Sequence, residues 1–403
     1  MFSDLKNGVG TGTTELHVAR PISGALEPLF VLLYLKAPMF LKVGETQMTG
    51  SAGQKRVPKD FFAGNPLPYP PLKEQHRIVA KVDELMTLCD QLEQQTEASI
   101  EAHQTLVEVL LNTLTSSENA DELMQNWARI SEHFDTLFTT EASIDQLKQT
   151  ILQLAVMGKL VPQDPTDEPA AKLLERIAEE KAQLIKDKKI KKQKALPPIA
   201  DDEKPFELPN GWEWCRFGEL GYDMGGGTPS KSNPYYWDGD IPWVSPKDMK
   251  VDFISSAIDS VTAKAVEETT AKLIPEASLL MVVRGMILAH SFPVALTQRP
   301  VVINQDMKAL VFSNMLPTYL LLLMKAQKEH MVGLVDRSSH GTCKLVSDKL
   351  WAVVLGIPSE EEQHRIVAKV DELMALCDQL KQRLRDSQQT QLQLTDAIVE
   401  QVV

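Results

Sequence analysis

The side chains best suited to chemistry lie in residues 225–249, GGGTPSKSNPYYWDGDIPWVSPKDM. Three successive glycines permit close backbone approach, Ser230, Lys231, Ser232 and Lys247 supply hydrogen-bond donors, and Trp237 and Trp243 supply aromatic faces. That is the composition of a binding surface. Its bland counterpart is a flexible loop at 225–227 with both tryptophans in a core.

Signatures of catalysis fail one by one. GGGTPSKS lacks the glycine that a phosphate-binding loop places directly before its lysine, since Ser230 stands there. NPYY at 233–236 is similar to the NPPY tetrapeptide of amino-methyltransferases, but no FxGxG-like cofactor loop accompanies it. His340 near Cys343 and His290 near Ser291 have no orienting acid in view, so both histidines read as structural. No PD…ExK nuclease pattern exists. The four cysteines, Cys89, Cys215, Cys343 and Cys377, form no CxxC pair. They read as buried, reduced thiols of a cytoplasmic protein rather than as metal ligands or disulfides.

The elements that must position these residues are organised by a duplication. Residues 74–94, EQHRIVAKVDELMTLCDQLEQ, return at 362–382 as EQHRIVAKVDELMALCDQLKQ, with 19 of 21 positions matching at an offset of 288. Apolar residues fall four and three apart in each copy: Ile78, Val82, Leu85, Cys89 and Leu92, then Ile366, Val370, Leu373, Cys377 and Leu380. Such a seam predicts a helix that must pack, and the simplest partner is another helix of the chain. The similarity extends upstream. Gly53 falls on Gly341, Arg56 on Lys344 and Pro70 on Pro358, while PLFVLLYLK at 28–36 matches PTYLLLLMK at 317–325 one residue off register. The repeating unit is therefore a domain followed by a helix.

A chain of 403 residues accommodates two or three domains. Its net charge of −13 argues against coating nucleic acid or anionic membrane non-specifically, while leaving room for a local basic patch. The apolar run around 320–324 falls far short of the roughly 20 residues of a spanning helix, and Met1 opens no signal peptide. Helices are predicted over 70–115, 121–160 with a stop at Gly158, 169–193 and 317–333. Strands are predicted at 278–284, 300–303 and 350–355, and Ser359 with Glu362 reads as a capping box. Between 181 and 194 stand seven lysines and one aspartate, read as a helix end complementing its dipole in preference to a phosphate-binding tract. A Pro-rich linker follows.

Taken together, the repeated EQHRIVAKVDEL, LKQTILQLAVMGKLVPQDP, KKIKKQKALPPI, FELPNGWEW, GGTPSKSNPYYWDGDIPWVSPKDM and GSAGQKRVP resemble the specificity subunit of type I restriction-modification systems, with the type IB branch nearest. The resemblance covers essentially the whole chain. It implies an α+β fold in which mixed α/β target recognition domains are joined by long antiparallel coiled-coil helices in a pseudo-twofold repeat. On this basis residues 1–69 are the C-terminal remnant of a first recognition domain, 70–118 the first conserved helix, 119–205 central helices and linker, 206–358 the second recognition domain, and 359–403 the second conserved helix. The resemblance further implies a non-catalytic subunit that reads double-stranded DNA. Modification subunits, bringing S-adenosylmethionine, and a restriction subunit, bringing ATP and Mg, are its implied partners, with self-association as a further route; the chain itself has no cofactor, metal or membrane partner.

By position in the motifs, the DNA-binding candidates are Gly226, Thr228, Ser230, Lys231, Lys247, Arg284, His340, Gly341 and Lys344, with Gln54, Lys55 and Arg56 matching them in the first domain. The departure from the family pattern lies at the front. Counting back 288 residues, the counterparts of about 206–288 and of the helix LKQTILQLAVMGKLVPQDP have no place in the first domain. That domain is expected to bury too little apolar surface to read a half-site alone. Two functions follow: a DNA-reading subunit serving half of a bipartite site, or an assembly protein whose helices bind modification subunits while DNA reading is impaired.

Overall fold

The computed structural model describes residues 16–19, 22, 24–50, 55–118, 120–193, 195–337 and 342–402. The chain divides into two compact units, Met1–Ala102 and His103–Val403. The first contains helices α1 (Pro28–Lys36), α2 (Pro38–Gln47) and α3 (Lys59–Gly64) and most of α4 (Leu72–Ser116). The second continues with α5 (Ala120–Glu132), α6 (Phe134–Leu137), α7 (Glu141–Val156) and α8 (Ala170–Lys186). It goes on with β1 (Glu213–Arg216), β2 (Gly221–Gly225), β3 (Trp237–Val244), β4 (Phe253–Ile254), β5 (Asp259–Val261), α9 (Ala263–Glu268), β6 (Leu279–Val282), β7 (Val294–Thr297), β8 (Val302–Ile303) and β9 (Met307–Phe312). Then come α10 (Pro317–Ala326), α11 (Lys328–Gly333), β10 (Asp336–Arg337), β11 (Cys343–Lys344), α12 (Ser347–Trp351), β12 (Val354–Ile357) and α13 (Glu360–Val402).

The expected α+β class holds. A five-stranded sheet, ordered β2-β9-β6-β7-β4, is joined by a three-stranded sheet, β5-β3-β8, and by the ribbons β1-β12 and β10-β11. All residues of β6 and β7 are buried, which accounts for LLMV and VALT lacking the alternation of a half-exposed strand. Helix α10 packs its buried 319–324 run on this sheet and on α7. Four boundaries differ from expectation, the first being the helix predicted over 317–333, which is interrupted at Gln327 between α10 and α11. The single helix predicted over 121–160 is broken into α5, α6 and α7, with Thr140 capping α7 through Ser143. The predicted strand at 350–355 begins as the helix α12. The helix predicted to reach 193 stops at Lys186, short of most of the lysine run. Gly158 does end its helix: its φ is +68°, and a Cβ there would meet Pro209 Cγ at 2.5 Å.

The second seam finds the partner expected of it. Helix α7 lies antiparallel to α13, because Glu141 meets Arg385 (2.5 Å), Asp145 meets Lys381 (2.6 Å) and Lys148 meets Asp378. Ile144, Leu147, Ile151 and Leu154 are buried in the same core as Ile366, Val370 and Cys377, with Leu373 and Leu380 half-buried against it. The first seam does not match. Ile78 and Val82 are half-buried, but Leu85, Cys89 and Leu92 are exposed, Leu85 by 49% and Leu92 by 62%. Within the first unit, no described helix covers these three. Farther along α4, Val107, Leu111 and Leu114 are buried in the second unit.

The duplication also survives in detail. Gln363, fully buried, donates to Pro358 O (3.3 Å) and accepts from Leu316 N at the head of α10 (3.0 Å). Gln75, equally buried, donates to Pro70 O (2.8 Å) and accepts from Glu27 N at the head of α1 (2.8 Å). Each glutamine fastens its domain to the start of the helix that follows. The capping box expected at Ser359 is half made. Ser359 Oγ accepts from Glu362 N (3.0 Å), but the Glu362 carboxylate accepts from Trp212 Nε1 (3.0 Å) and Gln163 Nε2 (3.2 Å). Burial pushes this carboxyl above its ordinary value.

Among its described residues the first unit has no sheet. Residues 66–69, which repeat β12, form no strand, and Tyr69 is 61% exposed where its counterpart Ile357 is fully buried. Leu67 is half-buried against a fully buried Leu355. Strand β12 is paired by β1, whereas among the described residues no strand lies beside 66–69.

Candidate nucleic-acid interface

Five strand ends meet at the turn of residues 304–306. Pairing of Gly225 with Lys308 and of Val282 with Met307 brings the ends of β2 and β6 to the start of β9. The parallel pairing of Val244 with Ile303 brings the ends of β3 and β8 to the same turn. Loop backbones then close on it: Asn304 N donates to Val244 O (2.9 Å), Gly227 N to Ile303 O (2.9 Å) and Val283 N to Asp306 O (2.8 Å). The result is a rigid platform whose rim carries short polar and cationic loops, the arrangement in which binding residues are held by a scaffold.

Several predicted residues come together on this rim. Thr228 Oγ1 hydrogen-bonds Gln305 Oε1. Arg284 is exposed, bridges Lys344 through the backbone, and has its guanidinium 3.9 Å from Asp306 Oδ1. Lys344 is exposed on β11. Lys247 is exposed on the turn that follows β3, a turn closed by Asp248, whose carboxylate accepts from Ser245 N and Ile258 N at 2.8 Å each. Ser230 and Lys231 are exposed at the tip of the preceding loop, where Ser230 Oγ lies 2.8 Å from Ser232 Oγ.

Gly226 has a packing role of its own: a Cβ at this position would overlap the carbonyls of Ile303 and Asn304, so only glycine lets the loop close against the turn. The tryptophans are likewise internal struts. Trp243 is buried and donates to Gly227 O (3.1 Å), half-buried Trp237 donates to Ser230 O (3.1 Å), and the two rings meet edge to face at 5.3 Å. The bland reading of the tryptophans is therefore correct, yet their indole N–H groups shape the loop that presents Thr228, Ser230 and Lys231.

His340, Gly341 and Gln54 lie outside the described residues. Lys55 is exposed in the first unit, and Arg56 pairs by backbone with Thr49 in a short antiparallel bridge. Exposed Gln305, beside buried Asn304 and half-buried Asp306, belongs to the rim but was absent from the sequence candidates. The available signal was the polar run NQD directly after the apolar strand VVI.

Of the lysine run, Lys181 is used structurally: its Nζ donates to Gly218 O (2.7 Å), and burial lowers its proton affinity. Only Lys186 stands in the last turn of α8, so the dipole reading applies to one lysine and not to the run. The linker beyond it is fastened by Arg216, 2% exposed, whose guanidinium donates to Pro197 O, Pro198 O and Ala352 O and to both carboxylate oxygens of Glu203 at 2.7 Å. These donors hold the Glu203 carboxyl down to about 2.

A platform of strand ends with a polar rim, carried on duplicated helices, defines a recognition module. Its sequence matches the family model described as "Type I restriction modification DNA specificity domain" over residues 7–102 and 209–387, and the chain belongs to that family. It is 48% identical over 422 aligned residues to the type I restriction enzyme EcoAI specificity subunit of Escherichia coli, covering 100% of this chain and 69% of that protein. It is 44% identical over 415 residues to the EcoEI specificity subunit of Escherichia coli, covering 99% of this chain and 69% of that protein. A solved structure from work on complex assembly and conformational transition of the type I R-M system shares the fold, with a TM-score of 0.51 and 18% identity over 93% of this chain and 70% of that one. The family's members are specificity subunits, and the chain is non-catalytic by that membership.

Proposed function

We propose that the chain reads one half of a bipartite DNA site through the rim around residues 304–306 and scaffolds modification and restriction subunits on its helices. The observation that carries this reading is the convergence of five strand ends on one turn, which places Thr228, Lys247, Arg284, Gln305 and Lys344 on a common edge. Side chains of these types match base edges in the major groove and phosphate oxygens beside it. The first unit presents no comparable set of strand ends among its described residues, which supports half-site reading by the second unit. Methyl transfer with S-adenosylmethionine, and ATP- and Mg-dependent translocation and cleavage, fall to the partner subunits, in the cytoplasm.

The test is selection from random duplexes by the chain together with its modification subunit. Recovery of a defined half-site is expected, with Lys344→Ala and Lys231→Ala weakening binding and lowering the salt slope by about one for each phosphate no longer neutralised. Recovery of no sequence, or wild-type affinity and salt slope in both variants, would overturn the reading and leave the chain as an assembly protein.

A further inference from the structure

Residues 186–192, KDKKIKK, set five exposed lysines against one aspartate in a chain whose net charge is −13. Among the described residues, Lys189 has only Asp187 at 3.9 Å, and Lys186, Lys188, Lys191 and Lys192 have no carboxylate partner. A mobile run of like charges would be an ordinary solvated surface, but this one is held in place. At its entry, the end of α8, Lys189 N donates to Leu184 O and Lys188 N to Ile185 O at 3.0 Å each. That bonding turns the chain through Lys188, whose φ is +55° at the position glycine usually fills. A lysine stands there at a steric cost that glycine avoids, so the turn alone does not account for its side chain.

The exit of the tract is fixed to the sheet. Gln193 Nε2 donates to Asp223 Oδ1 (3.0 Å), and Lys308 Nζ donates to Asp223 Oδ2 (2.7 Å). Asp223 stands in β2, the edge strand of the five-stranded sheet, two residues before Gly225 at the rim. At the usual rise of a strand that separation is about 7 Å. The tract is therefore fastened beside the strand whose end belongs to the rim. Ordering unpaired cations costs free energy through their mutual repulsion, and a surface of regularly spaced anions would offset it. Duplex DNA is such a surface, with one negative charge about every 1.7 Å of its axis.

We propose that residues 186–192 grip the phosphate backbone of duplex DNA outside the half-site, without regard to sequence. The inference rests on the DNA-reading role proposed above and adds to it a second contact of a different kind. Rim residues select a sequence, whereas an ammonium on a flexible stem follows phosphates and carries no base information. An acidic surface of a partner subunit would match the charge as well, but Gln193 ties the tract to the strand that ends at the rim.

The experiment uses the full chain with its modification subunit, on the duplex recovered by selection and on one of unrelated sequence. The variant combines Lys186→Gln, Lys188→Gly, Lys191→Gln and Lys192→Gln; all of these sites are exposed, and glycine keeps the turn at 188. Binding should weaken roughly tenfold on both duplexes alike, with the salt slope lower by about 2–4. In the wild-type complex, bound duplex should slow acylation of the same lysines, read by mass spectrometry, a measurement that needs no variant. An unchanged salt slope, weakening confined to the selected duplex, or unslowed acylation would overturn the proposal. So would intact DNA binding with weaker association of the modification subunit, measured by sedimentation without DNA, since the tract would then be a contact for an acidic protein surface. Failure of the wild-type complex to select any sequence refutes the half-site reading instead, and the grip is then read on the unrelated duplex alone.

Discussion

Ile366 and Ile78 occupy the same place in the two copies, and replacing each with alanine should separate their structural roles. Ile366 is fully buried among α7, α10 and the head of α13, whereas Ile78 is half-buried in the first unit. Removing buried methyl groups where the surroundings cannot collapse costs about 2–5 kcal/mol. With a urea dependence of about 3 kcal/mol/M for a unit of this size, Ile366→Ala should lower the unfolding midpoint by roughly 1 M. All six tryptophans, 127, 212, 214, 237, 243 and 351, lie in the second unit, so their fluorescence reports that unit alone. Ile78→Ala should leave this transition in place. Equal shifts in the two variants, or a shift below about 0.3 M for Ile366→Ala, would refute the assignment of α7 as the cover of the second seam.

Thiol labelling under native conditions should find one fast cysteine of four: Cys89 is exposed, whereas Cys215, Cys343 and Cys377 are buried and burial raises the thiol values of Cys215 and Cys377. Mass spectrometry after brief alkylation checks this, and early modification of Cys377 would contradict the packing of α13. The Glu203 carboxyl, held down to about 2 against an ordinary 4.5, stabilises the fold fully above pH 4.5 and loses that contribution as pH falls towards 2. Glu203→Gln should therefore flatten the dependence of Tm on pH across that window, and an unchanged profile would contradict the pairing with Arg216. Gly226→Ala should cost about 1–3 kcal/mol through overlap with the backbone of Ile303 and Asn304, measured by the same tryptophan transition. A neutral outcome would return Gly226 to the partner-facing residues.

The duplication, the long helices and the helix stop at Gly158 were legible because they rest on local spacing and on identity at a fixed offset. The strand ends were less so. Thr228, Arg284, Gln305 and Lys344 are distant in sequence, and only the pairing of β2, β6 and β8 around β9 and β3 makes them neighbours. The glutamines were missed for a related reason. In EQHRIV a glutamine next to Glu, His and Arg has the composition of a solvated face, and nothing local says that Gln75 and Gln363 turn inward to the head of another helix. The start of α12 was misread because an apolar run of six residues serves a helix turn followed by a strand as well as a strand alone. At Gly226 the sequence shows that close backbone approach is possible, and the structure adds that the backbone of Ile303 and Asn304 is what approaches.

The paired glutamines bear on how such a chain can change. Each is a socket of fixed geometry: the fold ahead of the helix enters through one backbone N–H and leaves through one proline carbonyl, whatever side chains stand on its rim. Rim residues take no part in that fastening, so replacing their side chains should leave the joint as it is.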